Sequence, residues 1–144
     1  MRLFIQVVNT ASVIIKNSIY SSIDKGYLIY LGVHKNDTLD KVQSASLFIE
    51  NLRIFPDKDG KLNLTLKEVS GSILIVSSFT LLSDPDTGRR PSFSNALDAS
   101  GAKVIYDALV LKLCDSFKVE TGVFKEDMEI KSINSGPINI YHEI

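Results

Sequence analysis

Absences narrow the reading of this sequence before any motif is considered. Its 144 residues hold one cysteine, two histidines and no tryptophan. Cys114 alone makes no intrachain disulfide, which fits a reducing compartment. Two imidazoles and one thiol nearly exclude a structural zinc site and disfavour a catalytic one, because zinc draws most of its ligands from these types. No apolar run is long enough to span the hydrocarbon core of a bilayer. The start, Met1-Arg2-Leu3-Phe4-Ile5-Gln6, reaches a polar residue after three apolar ones and lacks the core of a secretory signal. Neither a P-loop nor a Gly-x-Gly-x-x-Gly turn is present. A basic excess is missing too, with a net charge of −1. A surface that tracks many phosphates gains affinity by releasing counterions and shows a surplus of cations. Extended binding along a nucleic acid is therefore disfavoured: no DNA partner is expected, and if an RNA is the substrate it is gripped only at its end. These exclusions leave a cytoplasmic protein with no membrane partner, no metal and no cofactor.

The composition is 44% hydrophobic and 23% charged, ordinary for a globular chain able to bury a core without staples. No repeat or linker is visible, so residues 1–144 are read as one domain. Arg2 to Val8 reads as a strand. Val13–Ile15 and Ile19–Ile23 flank the turn-like Lys16-Asn17-Ser18, which predicts a hairpin. Tyr27 to Val33 is almost wholly apolar and suits a strand buried on both faces. The period then lengthens. Asn36-Asp37-Thr38 offers a helix N-cap, followed at helical spacing by Leu39, Val42, Ala45, Ile49 and Leu52. Arg53-Ile54-Phe55 leads into a turn over 56–60, and Ser72–Val76 reads as a second short buried strand. Ser83–Asp98 reads as a long loop of the kind that carries function. From about Gly101 helical spacing returns in Ile105, Ala108, Leu109, Leu113 and Phe117. Met128, Ile130 and Ile133 then resume a strand, broken at Gly136-Pro137 and continued by the alternating Ile138–Ile144. Two helices among about seven strands imply an α/β domain with a mixed sheet and both helices on one side.

Most chemical candidates are better explained as structure. Asp57-Lys58-Asp59-Gly60 through Glu68 has the acidic spacing of a calcium loop, but Leu62 stands where that loop needs its turn glycine. His142 shares a strand face with Ile138, Ile140 and Ile144, the place of a partly buried structural histidine, and His34 has no assignable role. Ser77-Ser78-Phe79-Thr80 follows a buried strand, and strand ends in α/β domains are where ligands tend to sit. Hydroxyls bonded to local backbone are the simpler account of it. Gly88-Arg89-Arg90-Pro91-Ser92-Phe93 puts two cations in the long loop, either phosphate ligands or solvated charge. Base rates alone make the Gly136–Pro137 bond trans, since only about 5–6% of X–Pro bonds in folded proteins are cis.

Taken together, several stretches resemble one family. They are Ala11-Ser12-Val13, Arg53-Ile54-Phe55-Pro56-Asp57 with Gly60-Lys61-Leu62-Asn63, Ser77-x-Phe79-Thr80-Leu81, Arg90-Pro91-Ser92-Phe93, Thr121-Gly122-x-Phe124 with Asp127-Met128, and Asn134-x-Gly136-Pro137. In order and spacing the chain is similar to the D-aminoacyl-tRNA deacylases. The resemblance implies a three-layer β-β-α fold and a homodimer acting on the 3′ end of aminoacyl-tRNA, with a cis Gly136–Pro137 pair inserted into the partner's pocket. It also implies hydrolysis of the ester of D-aminoacyl-tRNA, with Gly-tRNA as a further substrate. By the same resemblance Ser77, Phe79 and Thr80 carry catalysis, and Ser78, Met128, Gly136, Pro137 and Asn139 contact substrate. Backbone N–H groups around Ser77 and Phe79 are the expected oxyanion donors. Thr80 as nucleophile is the alternative, but the motif supplies no base to activate it. The family's glutamine is Ser78 here, the threonine of its Gly-Pro-x-Thr is Asn139, and the arginine that buttresses its Gly-Pro turn is Val7. Two rivals stand beside the enzyme: an RNA-end-binding dimer of the same fold with turnover lost, and a dimeric module with no RNA role.

Overall fold

The computed structural model describes residues 1–84 and 90–144. Gly88 and Arg89, the first two of the six residues in the cationic stretch singled out above, lie outside the described residues.

The first strand, β1, runs unbroken over Arg2–Ile15, where the sequence pattern predicts two pieces. It turns into β2 (Ser18–Ile23) through Lys16 and Asn17, both at positive φ (49° and 62°). Two consecutive positive φ values make the two-residue turn that matches the right-handed twist of paired strands, and Asn tolerates that region well. Then come β3 (Gly26–Gly32), helix α1 (Lys41–Asn51), the hairpin β4 (Arg53–Pro56) and β5 (Leu62–Thr65), and β6 (Ser72–Ser77). A single 3₁₀ turn at Phe79–Leu82 precedes α2 (Ala99–Cys114), β7 (Val119–Thr121) and β8 (Glu129–Glu143).

The main sheet has the order β2-β1-β3-β6-β7, with β8 paired along the other edge of β1. β3, β6 and β7 are parallel, and the remaining pairs are antiparallel. Parallel neighbours need a crossover, and the helices supply it. Gly26 is needed where β3 meets β6, because a Cβ there would strike the Ser72 carbonyl oxygen. β2 curls back toward the far edge, where the Ser21 hydroxyl donates to Thr121 O (2.7 Å), so the sheet nearly closes.

Two apolar clusters explain the layering. One joins Leu3, Ile5, Val7, Tyr27, Ile29, Leu31, Ile73 and Ile75 to Val42, Ala45 and Ile49 of α1 and Ile105, Leu109 and Leu113 of α2. The other lies inside the curled sheet, with Val8, Ala11, Val13, Ile23, Leu28, Leu74 and Val76. Both helices thus cover one side, and strands buried on both faces carry the near-continuous apolar runs of β3 and β6.

The start of α1 departs from the sequence expectation. Helix residues begin at Lys41, and Leu39, expected on the apolar face, is 54% exposed. Asp37 does not cap the helix. Its buried carboxylate takes the Met1 ammonium (2.8 Å), the Lys41 Nζ (2.9 Å) and the His34 N–H (2.6 Å). Tertiary charge pairing outcompetes a local cap for the same side chain. α2 begins two residues before Gly101, capped by Asp98, whose carboxylate accepts from the N–H groups of Ser100 and Gly101.

Candidate active site at the end of the parallel strands

The parallel part of the sheet prepares an opening at the carboxyl end of β6. β7 stops at Thr121, and the Gly122 N–H makes the last bond to β6, at Ile75 O (3.1 Å). Ser77 lies two residues further on the same edge of β6, and no acceptor among the described residues reaches its N–H. On the opposite edge the Ser78 N–H donates to Leu31 O (2.8 Å), so that donor is spent. The chain then tightens into the Phe79–Leu82 turn. The first N–H groups of such a turn have no partner within it, and those of Phe79 and Thr80 find no acceptor among the described residues. Backbone donors at Ser77, Phe79 and Thr80 therefore cluster around one strand end.

A cavity of about 760 Å³ opens there. Ser77 and Val33 contribute to its base, and Met128 and Phe124 line it on the far side. Phe79, more than half exposed, meets Phe93 edge to face at 5.0 Å to make an aromatic wall. The loop bearing Phe93 is tied to the end of β3 by Leu97 N–H to Val33 O (2.9 Å) and Lys35 N–H to Asn95 O (2.8 Å). Met128 sits against Gly122, and its sulfur accepts the Val123 N–H (3.2 Å). From beneath, the buried Tyr106 hydroxyl donates to Ile75 O (2.9 Å) and its ring lies 5.8 Å from that of Phe124. Burial, reinforced by the Asp107 charge, pushes the Tyr106 phenol well above its ordinary range, so it remains a neutral donor. Lys125, Glu126 and Asp127 supply the charge on the lining.

The hydroxyls here have each other. Ser78 Oγ and Thr80 Oγ1 are 2.8 Å apart. Neither histidine lines the cavity: His34 Nδ1 accepts the Asn36 N–H (3.2 Å), and His142 stacks on Phe48 at 3.7 Å. A Thr80 nucleophile thus has no imidazole to take its proton.

Gly136, Pro137 and Asn139 lie elsewhere. Across β1 and β8, Gln6 pairs with Asn139 and Val8 with Asn134, so residues 135–138 stand opposite Val7 alone and are pushed out of the sheet. Gly136 and Pro137 are exposed at the tip of this protrusion, and the bond between them is cis, as the resemblance implies and base rates do not. Gly136 has φ +115°, and a Cβ there would come 2.5 Å from Ile138 Cγ1, so only glycine fits. Where the family carries its arginine, Val7 is 3% exposed and packed in the helix-side core. Support comes instead from Asn134, whose amide nitrogen donates to Val7 O (2.9 Å) and Ile138 O (3.2 Å) across the base of the protrusion. Sequence reasoning did not foresee that role, although Asn134 heads the quoted motif. The protrusion borders a separate hollow of about 480 Å³ with Lys25, Phe55 and Leu62. Within one chain Ser77, Phe79 and Met128 line one cavity, Gly136 lines another, and Pro137 and Asn139 line neither.

The family model for D-Tyr-tRNA(Tyr) deacylase matches residues 4–143 of this chain. A D-aminoacyl-tRNA deacylase of Clostridium perfringens is 42% identical over 142 residues, covering 97% of this chain and 95% of that protein. Among solved structures, that of a c-Myc DNA unwinding element binding protein superposes with a TM-score of 0.94 at 29% identity, over 100% of this chain and 99% of that one. A probable eukaryotic D-amino acid tRNA deacylase superposes with a TM-score of 0.84 at 17% identity, over 99% and 98%, and speaks to the fold alone.

Proposed function

The chain belongs to the D-Tyr-tRNA(Tyr) deacylase family, and we propose that its working site is assembled from two copies of the chain. It is a D-aminoacyl-tRNA deacylase, a hydrolase of the ester that joins a D-amino acid to tRNA. The observation that carries the proposal is the division just described: a concave cavity with unspent backbone donors, and an exposed protrusion that does not reach it. A second copy supplies the missing half by inserting Gly136 and Pro137 of one protomer into the cavity of its partner.

In that arrangement the terminal nucleoside of the tRNA enters the cavity, whose Phe79 and Phe93 wall suits a stacked base. Met128 packs beneath it, and Ser78 faces the reacting end. The carbonyl oxygens of Gly136 and Pro137 accept hydrogen bonds from the substrate's α-ammonium. An L side chain is then driven into that backbone, while a D side chain points outward, so rejection is steric and tolerant of many D residues. Glycine has no side chain to reject and is accepted as well.

Water attacks the scissile carbonyl carbon. A carbon–oxygen bond forms to the water while the carbonyl oxygen gains negative charge. The N–H groups of Ser77, Phe79 and Thr80 receive that charge, each such donor lowering the barrier by roughly 2.7–4 kcal/mol. The substrate's 2′-hydroxyl relays the water proton to the departing 3′-oxygen as the ester bond breaks. Thr80 contributes its N–H rather than its hydroxyl. The reaction belongs in the cytoplasm, beside translation.

Purified protein mixed separately with D-Tyr-tRNA and L-Tyr-tRNA tests this, with release of the amino acid followed and mass measured by light scattering. Fast release from the D substrate alone, by a dimer, is expected. Binding without release would shift the reading to an RNA-end-binding dimer, and a fully active monomer would defeat the shared site.

A further inference from the structure

The protrusion on β8 is fixed by three side-chain amides in a row, two of which lie outside the Asn134-x-Gly136-Pro137 stretch. Asn134 Nδ2 donates to Val7 O and Ile138 O, as described above. Its Oδ1 accepts from Asn139 Nδ2 (3.3 Å), and Asn139 Oδ1 accepts from Gln6 Nε2 (2.7 Å). The order has only one workable polarity. Both backbone carbonyls can only accept, so Asn134 must turn its NH₂ toward them and its oxygen toward Asn139. Asn139 must then offer its NH₂, which leaves its oxygen for the Gln6 amide.

We propose that Asn139 is a positioning residue: through Asn134 it sets the attitude of the Gly136–Pro137 tip and thereby the preference for D over L substrates. Val7 O is the carbonyl that pushing residues 135–138 outward deprives of an ordinary ladder partner. A chain with Val7 at this place has no long cationic side chain to hold that carbonyl and the tip together. The amide row holds it from the strand surface, where Gln6 and Asn139 lie opposite each other in register. Asn139 itself is exposed and does not line the cavity at Ser77, so its effect on substrate passes through the tip. This inference rests on the cross-subunit reading above.

Asn139→Asp keeps the shape and reverses the polarity, because a carboxylate cannot donate to Asn134 Oδ1. The row then favours a turned Asn134 amide, whose oxygen would face two carbonyl oxygens. Two readouts are taken: the ratio of kcat/KM for D-Tyr-tRNA over L-Tyr-tRNA, and hydrogen exchange at the amides of Ser135, Gly136 and Ile138. The expected result is a fall of about tenfold in the ratio, as the loss of a hydrogen bond that orients the part-buried Asn134 amide entails, together with faster exchange. Gln6→Ala should lower the ratio by less. The Gln6→Ala, Asn139→Ala pair should be no worse than Asn139→Ala alone, since members of one row are not additive. A D-selective wild type whose Asn139→Asp and Gln6→Ala variants keep both the ratio and the exchange rates would overturn the proposal. Lower thermal stability with an unchanged ratio would also overturn it, leaving Asn139 a merely structural residue. If the wild type shows no D preference at all, the cross-subunit reading fails, and the exchange rates alone decide whether Asn139 holds the tip.

Discussion

The cavity at the end of β6 and the protrusion on β8 are built by opposite means. The cavity is concave and walled largely by apolar side chains, and its shape follows from burial: Tyr106 and Phe124 pack at a tilt against each other beneath it, and Phe79 and Phe93 stand over it. The polar groups at its strand end are backbone donors, that of Ser77 left unspent because β7 ends two residues before β6 does. The protrusion is convex and exposed at Gly136 and Pro137, and Ile138 at its base packs against the core. Its shape depends on a glycine at positive φ and on amide hydrogen bonds to two strand carbonyls. A packed cavity tolerates the loss of one surface hydroxyl, whereas a protrusion held by a few directional contacts does not tolerate one misplaced atom.

The largest expected effect falls on the protrusion. Gly136→Ala forces a Cβ into Ile138 at a φ that L residues rarely adopt, a cost on the order of 1–3 kcal/mol or a rebuilt loop. Deacylation of D-Tyr-tRNA should drop about 100-fold in kcat/KM, the rate equivalent of such a displacement. Steady-state kinetics alongside a melting curve check it, and a variant as active as the wild type would break the contrast between the regions.

The second effect tests the frame that both regions share. Burial by itself would raise the Asp37 carboxyl, but hydrogen bonds from the Met1 ammonium, Lys41 and the His34 N–H outweigh it and hold the group below its ordinary value. A carboxylate lowered on folding adds stability above its unfolded pKa of about 3.9 and loses it as pH falls through the lower folded value. Asp37→Asn should therefore cost about 3 kcal/mol at neutral pH, as removal of one partner from a buried pair does. Urea melts should show that difference shrinking as pH drops below about 4. The folded fraction should remain D-selective, because Asp37 touches neither region.

The smallest effect belongs to the cavity. Thr80→Ala removes a hydroxyl whose partner is the Ser78 hydroxyl and keeps the N–H. Activity should stay within about tenfold of wild type, since a neutral hydrogen bond contributes roughly 0.5–1.5 kcal/mol. A folded Thr80→Ala dimer without activity would make Thr80 the nucleophile.

Periodicity in the chain located most elements, and it erred where a strand is very short or a long-range contact intervenes. The Lys16-Asn17 turn and the two apolar strands read directly, because turn chemistry and double burial act on neighbouring residues. β5 was not foreseen, since Leu62–Thr65 is four residues long and has only β4 to pair with. The helix start at Lys41 was misplaced because Asp37, a fitting cap by local rules, is held by the Met1 ammonium across 36 positions. The site residues around Ser77 were found by resemblance rather than chemistry. Their polar groups are N–H bonds that every residue but proline carries, and no side-chain type announces them.

What the sequence by itself determined is the mixed α/β layering, the strand end at Ser77–Thr80, the special character of Gly136-Pro137, and the family. Each depends on spacing along the chain. Only the tertiary structure decided which backbone donors remain unspent at that strand end, because this depends on β7 stopping short of β6. It also decided that Gly136 and Pro137 stand away from the cavity at Ser77, and that Gln6, Asn139 and Asn134 form one row of hydrogen-bonded amides at the base of the protrusion. Those facts depend on which residues of β1 and β8 face each other, and register between strands more than 120 positions apart leaves no trace in local pattern. It is fixed when the two apolar clusters close on both faces of the sheet.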